Sequence, residues 1–255
     1  MRFVIIGISY LMISLAFGAI EIDYDLMDFS PKNVGEIHQG HSEIILTFDD
    51  GPIPGVTNRV LDILADYNIK ATFFVIGKNA LAYPHLMRRM VEEGHTVGNH
   101  SMSHMALKNL DPLTWKETVQ REVMEAHNII SPYMVNNRHY FFRAPYAAWA
   151  QHYAEFLNET ETGREYKGPI LWDLGGEIEY KNGKYLQAAD WECWSKKISI
   201  KDCMSGYVNE AVRRRGGVVL MHDLRHQSAE MLEKLIPELQ DRGFGFTTLN
   251  DVNWK

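Results

Sequence analysis

Residues 44–52 read Ile44-Ile45-Leu46-Thr47-Phe48-Asp49-Asp50-Gly51-Pro52. An apolar run of strand-forming residues stops at two carboxylates and a Gly-Pro turn. Carboxylates at the end of a buried strand cost free energy unless something pairs with them. A hydrogen-bonded Asp-Gly turn explains one aspartate, but not the second. Successive strand residues point to opposite faces, so Asp49 and Asp50 diverge if the strand continues, and Gly51-Pro52 shows that it turns. Adjacent acids do not easily face each other across a glycosidic bond, as a glycosidase requires. A division of labour fits better, with one carboxylate on a metal and the other acting as a base.

Short apolar runs alternate with amphipathic stretches from this point onward. Strands are predicted at 44–48, 71–76, 96–97, 140–142, 170–172, 218–221 and 245–248, and helices at 56–67, 84–93, 113–130, 199–215 and 228–242. In the last helix Leu232, Leu235, Ile236 and Leu239 keep helical spacing. Repeated strand–helix units imply a parallel sheet, and seven of them imply a single α/β domain closed as a distorted (β/α) barrel. Chemistry-bearing residues follow the strands: Asp49 and Asp50 the first, Asn99, His100 and His104 the third, Arg143 to Tyr146 the fourth, His222 and Asp223 the sixth. Barrel active sites sit at those C-terminal strand ends.

The 255 residues, 45% hydrophobic and 23% charged, suit a globular chain, and the net charge of −7 disfavours nucleic acid as a partner. Residues 1–18 read as a signal peptide: Arg2 is the only charge, Phe3 to Ile20 is almost wholly apolar, and Ala16 and Gly18 suit cleavage before Ala19. The alternative is an uncleaved membrane anchor. Either places the functional part outside the cytoplasm, periplasmic or extracellular. Residues 19–43 form a polar lead-in, and 44–255 the domain. Cys193 and Cys203 form a disulfide or stay as buried thiols; two cysteines make no zinc ribbon.

His100-Ser101-Met102-Ser103-His104 has the i, i+4 spacing that brings two imidazoles onto one metal ion if the segment is helical. His222 and His226 repeat the spacing. His222, however, ends the apolar run Val218-Val219-Leu220-Met221, where a loop is expected instead of a helix, so His100 and His104 are preferred.

Thr47 to Pro52, His100 to His104, Arg143-Ala144-Pro145-Tyr146, Asp190-Trp191 and Leu220 to Asp223 stand in the order found in polysaccharide deacetylases. The chain resembles that family, carbohydrate esterase family 4 with the NodB-homology fold, over residues 44–249. The resemblance implies that Asp50, His100 and His104 hold a divalent metal, most often Zn2+, and that Asp49 is the catalytic base, oriented by Arg143. It implies that the backbone N–H of Tyr146 stabilises the oxyanion and that His222 is the general acid, paired with Asp190. Trp191 and Leu220 would line the acetyl pocket. The implied substrate is an N-acetylated amino sugar in a polysaccharide, with peptidoglycan N-acetylglucosamine first, chitin or chitooligosaccharide second and acetyl-xylan third. No protein partner is indicated.

The chain departs from the family pattern in two places. Ala147 stands where glycine is frequent. An insertion, 175–189, separates Asp173 from Asp190-Trp191, which makes Asp173 a rival partner for His222. Asn182-Gly183 signals a hairpin in it, and Tyr180 and Tyr185 are either sugar-stacking platforms or surface residues. Asn99 is read as support for His100, and His95, His139 and His152 as packing or surface residues. Two other readings remain: a catalytically silent glycan-binding protein, and a glycosidase built on Glu177 and Glu179.

Overall fold

The computed structural model describes residues 42–181, 184–187, 189–252 and 254; the leader and nearly all of the lead-in lie outside the described residues. The central strand β1 (Glu43–Asp49) is buried almost throughout. It pairs in parallel with β8 (Gly216–His222), β2 (Thr72–Val75) and β9 (Gly245–Thr247), and β2 pairs with β3 (Thr96–Asn99). The pairing continues from Asn99 to Phe142, next to β4 (Tyr140–Phe141), which pairs with β5 (Tyr166–Lys167).

The strand predicted at 170–172 is not a regular strand. Pro169 has no N–H to give to a ladder, and the pairing is confined to β5 before it and to a single bridge, Leu174 to Val219, after it. This segment still closes the ring: Ile170 N–H donates to Phe142 O at 2.7 Å, and Asp173 and Leu174 N–H both donate to Val218 O at 2.9 Å.

Helices cover the outside: α1 (Val56–Asp66), α2 (Gly77–Ala82), α3 (Pro84–Glu92), α4 (Trp115–Val119), α5 (Ala126–Ile130), α6 (Gln151–Leu157), α7 (Glu161–Arg164), α8 (Ala189–Ser195), α9 (Ile200–Arg214) and α10 (His226–Asp241). A π-helical turn, Gln120–Glu125, joins α4 to α5, so the helix predicted over 113–130 is continuous in sequence but not regular. The insertion forms an antiparallel pair, β6 (Glu177–Lys181) with β7 (Lys184–Gln187), on either side of residues 182–183. Those two residues, and the side chains of Tyr180, Tyr185 and Glu179, lie outside the described ones.

The period-2 alternation of β1 sorts its side chains. Ile44, Leu46 and Phe48 pack outward with Val60, Leu64, Leu232 and Leu235 of the helices, while Ile45 packs with Phe74, Phe141, Ile170 and Val218 in a separate cluster. The register pairs Ile45 with Val218, Thr47 with Leu220 and Asp49 with His222. Climbing β1 and β8 together, the same face changes from apolar to chemically active. The two residues at the top are therefore level with each other.

Candidate active site

Asp49 ends β1 and is buried. Its Oδ1 accepts from Arg143 Nη1 at 2.7 Å. Arg143 is fully enclosed, and its donors are spent on fixed acceptors: Nη1 also meets Thr47 Oγ1 at 2.7 Å, Nε donates to Ile170 O at 3.0 Å and Nη2 to Leu171 O at 3.2 Å. The guanidinium lies 4.2 Å from the Phe74 ring centroid. Burial lowers its pKa, and the Asp49 carboxylate opposes that. A buried cation is tolerated when it is paired and hydrogen-bonded; here Asp49 supplies the pairing, and four of the five N–H donors meet acceptors.

Asp50 takes φ = 77°, which aims its carboxylate away from Asp49 and toward two imidazoles. His104 Nε2 lies 3.0 Å and His100 Nε2 3.3 Å from Asp50 Oδ1. Burial raises the Asp50 pKa, but the two histidines more than offset this, and the carboxyl lies well below the usual range. Despite these approaches, the buried Oδ1 makes no hydrogen bond of normal geometry. The three ligand atoms converge within 4.8 Å of one another. A carboxylate and two imidazoles that meet without hydrogen-bonding suit a divalent cation with open positions. His100 Nδ1 sits 2.8 Å from Arg143 O; the carbonyl only accepts, so Nδ1 donates there, and Nε2 is the ring nitrogen that faces Asp50.

The imidazoles do not reach Asp50 from a helix, as the i, i+4 reading required. Residues 100–104 form a loop, with φ of 66° at Ser101 and 60° at His104. Left-handed geometry at non-glycine residues costs of order 1–3 kcal/mol each. His226, the alternative ligand, begins α10, and His222 turns elsewhere.

His222 ends β8. Its Nδ1 is 2.7 Å from Asp190 Oδ1, and its N–H donates to Asp190 Oδ2 at 3.0 Å. Ser228 Oγ donates to the same Oδ2 at 2.5 Å. The His222 partner is therefore Asp190, on α8. Asp173 is occupied with the Val218 N–H at 2.9 Å. Burial lowers the His222 pKa, but Asp190 outweighs it, with Asp49 and Asp50 adding to the rise, and the value climbs to about 9. Cys193, also on α8, is disulfide-bonded to Cys203 of α9, which ties down the helix that carries Asp190.

These groups open into one groove of about 860 Å³, also lined by Tyr146, Trp172, Trp191, Trp194 and Leu220. Tyr146 has φ = 58° and is 71% exposed, its ring 4.6 Å from that of His104. Trp191 is 52% exposed, whereas Leu220 is buried. Among the described residues Glu177 does not line the groove; its carboxylate pairs with Arg213 on α9. His95 is buried against Phe73 and held near pKa 4 by burial, away from the groove. His152 packs on Trp115.

Ser228 escaped the sequence reading, and Asp223 was placed at its strand end without a role. Ser228 holds Asp190, and only the i, i+4 periodicity of α10 hinted that it faces inward. Asp223 follows His222, is fully buried, and takes a 2.5 Å hydrogen bond from Thr57 Oγ1, which itself accepts from Ile53 N–H at 2.7 Å. Burial pushes the Asp223 carboxyl up to about 7. A Cβ on Gly51 would lie 2.1 Å from its Oδ2, which is why glycine follows the aspartate pair. Asn99 supports the loop as expected: Oδ1 accepts from Ser101 N–H at 2.9 Å, and Nδ2 donates to Val123 O at 2.9 Å.

A barrel with a paired carboxylate, a paired imidazole and a cation-binding trio at one mouth defines a hydrolase-type centre. The polysaccharide deacetylase family matches residues 37–162. A chitooligosaccharide deacetylase of Sinorhizobium fredii is 33% identical over 220 residues, covering 80% of this chain and 89% of that protein. The peptidoglycan-N-acetylmuramic acid deacetylase PdaC of Bacillus subtilis is 32% identical over 209 residues, covering 82% of this chain and 38% of that protein. The solved structure of the Bc1960 peptidoglycan N-acetylglucosamine deacetylase, in complex with 4-naphthalen-1-yl-N-oxidanyl-benzamide, superposes with a TM-score of 0.63 at 27% identity, covering 84% of this chain and 88% of that one. The chain belongs to the polysaccharide deacetylase family, carbohydrate esterase family 4.

Proposed function

We propose that this protein is an exported, metal-dependent N-deacetylase that hydrolyses acetamide groups on amino sugars within a polysaccharide, with peptidoglycan N-acetylglucosamine as first substrate. The observation that carries the reading is the convergence of three sets on one groove: Asp49 with Arg143, Asp50 with His100 and His104, and His222 with Asp190. No single set defines a reaction. Together they supply a base, an acid and a cation site around one position.

Asp50, His100 and His104 would hold the metal, most often zinc in this family. When bound, the cation supplies Lewis acidity, polarising the acetyl carbonyl and making a water easier to deprotonate. Asp49, fixed by Arg143, takes the proton from the attacking water. The Tyr146 N–H donates to the developing oxyanion. His222 starts protonated, held so by Asp190, and gives its Nε2 proton to the leaving nitrogen. The C–N bond breaks, and acetate and a free amine depart. Leu220 offers an apolar wall to the acetyl methyl group, and the exposed Trp191 a stacking face for a sugar ring.

A second substrate, chitooligosaccharide, is favoured by the 33% identity to the chitooligosaccharide deacetylase of Sinorhizobium fredii. The test is acetate release by zinc-loaded protein from peptidoglycan, chitooligosaccharides and acetyl-xylan, each with an Asp49→Asn control. Acetate from one polymer, lost in the control, supports the reading and names the substrate. New reducing ends without acetate would replace it with a glycosidase, and binding without either product with a glycan-binding protein.

A further inference from the structure

The loop that carries His100 and His104 has two residues in left-handed geometry and lies outside any helix or strand, so something else must hold it. Following its amides shows what does. His100 N–H donates to Val75 O at 2.9 Å, continuing the sheet. Ser101 N–H goes to Asn99 Oδ1 at the end of β3, and His104 N–H to Ser101 Oγ within the loop. The two amides between go to one distant residue. Met102 N–H donates to Glu122 O at 2.7 Å, and Ser103 N–H to Glu122 Oε2 at 2.9 Å. Ser103 Oγ lies 2.9 Å from both carboxylate oxygens. The next carbonyl, Val123 O, accepts from Asn99 Nδ2.

Glu122 and Val123 both lie in the π-helical turn at Gln120–Glu125. A π turn interrupts the i→i−4 ladder, and such turns recur at functional sites. Glu122 is buried, 2% exposed, although acidic side chains are seldom buried without a purpose. The loop is gripped from its other side by α2, where Gly77 and Lys78 N–H donate to Ser101 O and Met102 O at 2.9 and 3.1 Å.

We infer that the π-helical turn is a clamp for the metal-binding loop, and that Glu122 is a positioning residue that sets His104, through Ser103 and Met102, in ligand geometry against Asp50. Glu122 touches neither metal nor substrate. Its backbone carbonyl fixes one amide of the loop and its carboxylate fixes the next. With φ at Ser101 and His104 already in a sparsely populated region, a loop released from Glu122 swings the His104 imidazole away. This inference rests on the metal-dependent reading above.

The test is zinc affinity of the full chain, measured by competition with a chromogenic chelator at fixed pH, so that the readout does not depend on turnover. Glu122→Ala is expected to weaken zinc binding by about 10- to 100-fold, the range for lost supporting groups around a metal. Glu122→Gln keeps an acceptor for Ser103 N–H, and Ser103→Ala keeps the backbone amide; each is expected to lose about three- to tenfold, again by loosened ligand support. Leu235→Ala, a core change in α10, serves as a control for general destabilisation and is expected to keep wild-type affinity at temperatures where it is folded. Glu122→Ala within twofold of wild type would overturn the inference, as would Leu235→Ala losing as much affinity as Glu122→Ala. If Glu122→Ala gives no folded protein, unchanged affinity in both Glu122→Gln and Ser103→Ala overturns it. A wild-type chain that binds no zinc removes the metal-dependent reading and the clamp with it, whereas wild-type binding with unaffected variants removes the clamp alone.

Discussion

Replacing Asp190 with asparagine tests how the buried His222 is kept charged. In the metal-free protein the His222 pKa is raised from 6.5 to about 9. That interval, at about 1.4 kcal/mol per pH unit, corresponds to about 3 kcal/mol favouring the imidazolium in the folded state. A raised folded-state pKa contributes stability that is complete below the unfolded value and disappears as the pH rises through the folded one. The contribution is therefore about 3 kcal/mol at pH 6 and close to zero at pH 9.5. The Asp190→Asn change removes the charge. It also sets an amide against a place where Asp190 Oδ2 accepts from His222 N–H and Ser228 Oγ, a pH-independent loss of about 1–3 kcal/mol. Urea unfolding of metal-free wild type and Asp190→Asn should then show a larger penalty at pH 6 than at pH 9.5, by about 3 kcal/mol. In the loaded enzyme a nearby cation lowers the His222 pKa in both proteins, so the difference between them is the quantity to measure. The alkaline limb of kcat/KM should move down by about 2 pH units or more, since burial is then unopposed by Asp190. An equal penalty at both pH values, with an unmoved alkaline limb, would refute the assignment of Asp190 as the group that holds the proton on His222.

Removing metal by dialysis against a chelator should abolish acetate release, with zinc restoring it; His104→Ala should bind zinc at least about 10-fold more weakly, by titration. Arg143→Ala leaves the buried Asp49 unpaired and should cost about 3–5 kcal/mol in denaturant unfolding. Arg143→Lys should not rescue it, because an ammonium cannot reach Asp49, Thr47, Ile170 and Leu171 at once. Reducing Cys193–Cys203, ten residues apart, releases a short loop and should cost roughly 2.5–3 kcal/mol by loop entropy, with faster amide exchange in α8. Gly51→Ala would drive a methyl into the Asp223 carboxylate and should lower the melting temperature by several degrees, on the order of a few kcal/mol for a buried steric clash.

The elements that periodicity made legible were those facing a core. Strand β1 and helices α1, α3, α9 and α10 lie where their apolar spacing put them, because each buries its face against the same sheet. Spacing failed where backbone chemistry overrides it. Pro169 carries no amide, so pairing skips from Tyr166–Lys167 to Leu174 and bypasses Ile170–Trp172. The regular helix expected through Glu122 has a π turn, and within it Glu122 binds the amides of the loop beside it.

The site residues were legible for a related reason, and the helical premise behind two of them was not. An i, i+4 pair of histidines fits a helix, yet His100 and His104 meet Asp50 from a loop with two left-handed residues. One-dimensional spacing records that two side chains converge, but several backbones produce the same convergence. What distinguishes them is where the intervening amides find acceptors, and here those lie some twenty residues away, at Glu122. Asp190 shows the same limit from the other side. Asp173 is nearer the strand end that feeds the site, and sequence distance alone leaves the two open. The fold decides by giving Asp173 the Val218 amide and leaving Asp190, on a helix tied to α9 by a disulfide, to face His222. Each catalytic pair here joins a residue at a strand end to one whose own position is fixed elsewhere: Asp49 to an Arg143 bound by two carbonyls of the closing segment, His222 to an Asp190 held by Ser228. The strand ends were visible in the sequence because they follow apolar runs, Arg143 after Tyr140-Phe141-Phe142 included. Asp190 follows no run, and only packing brings it into place.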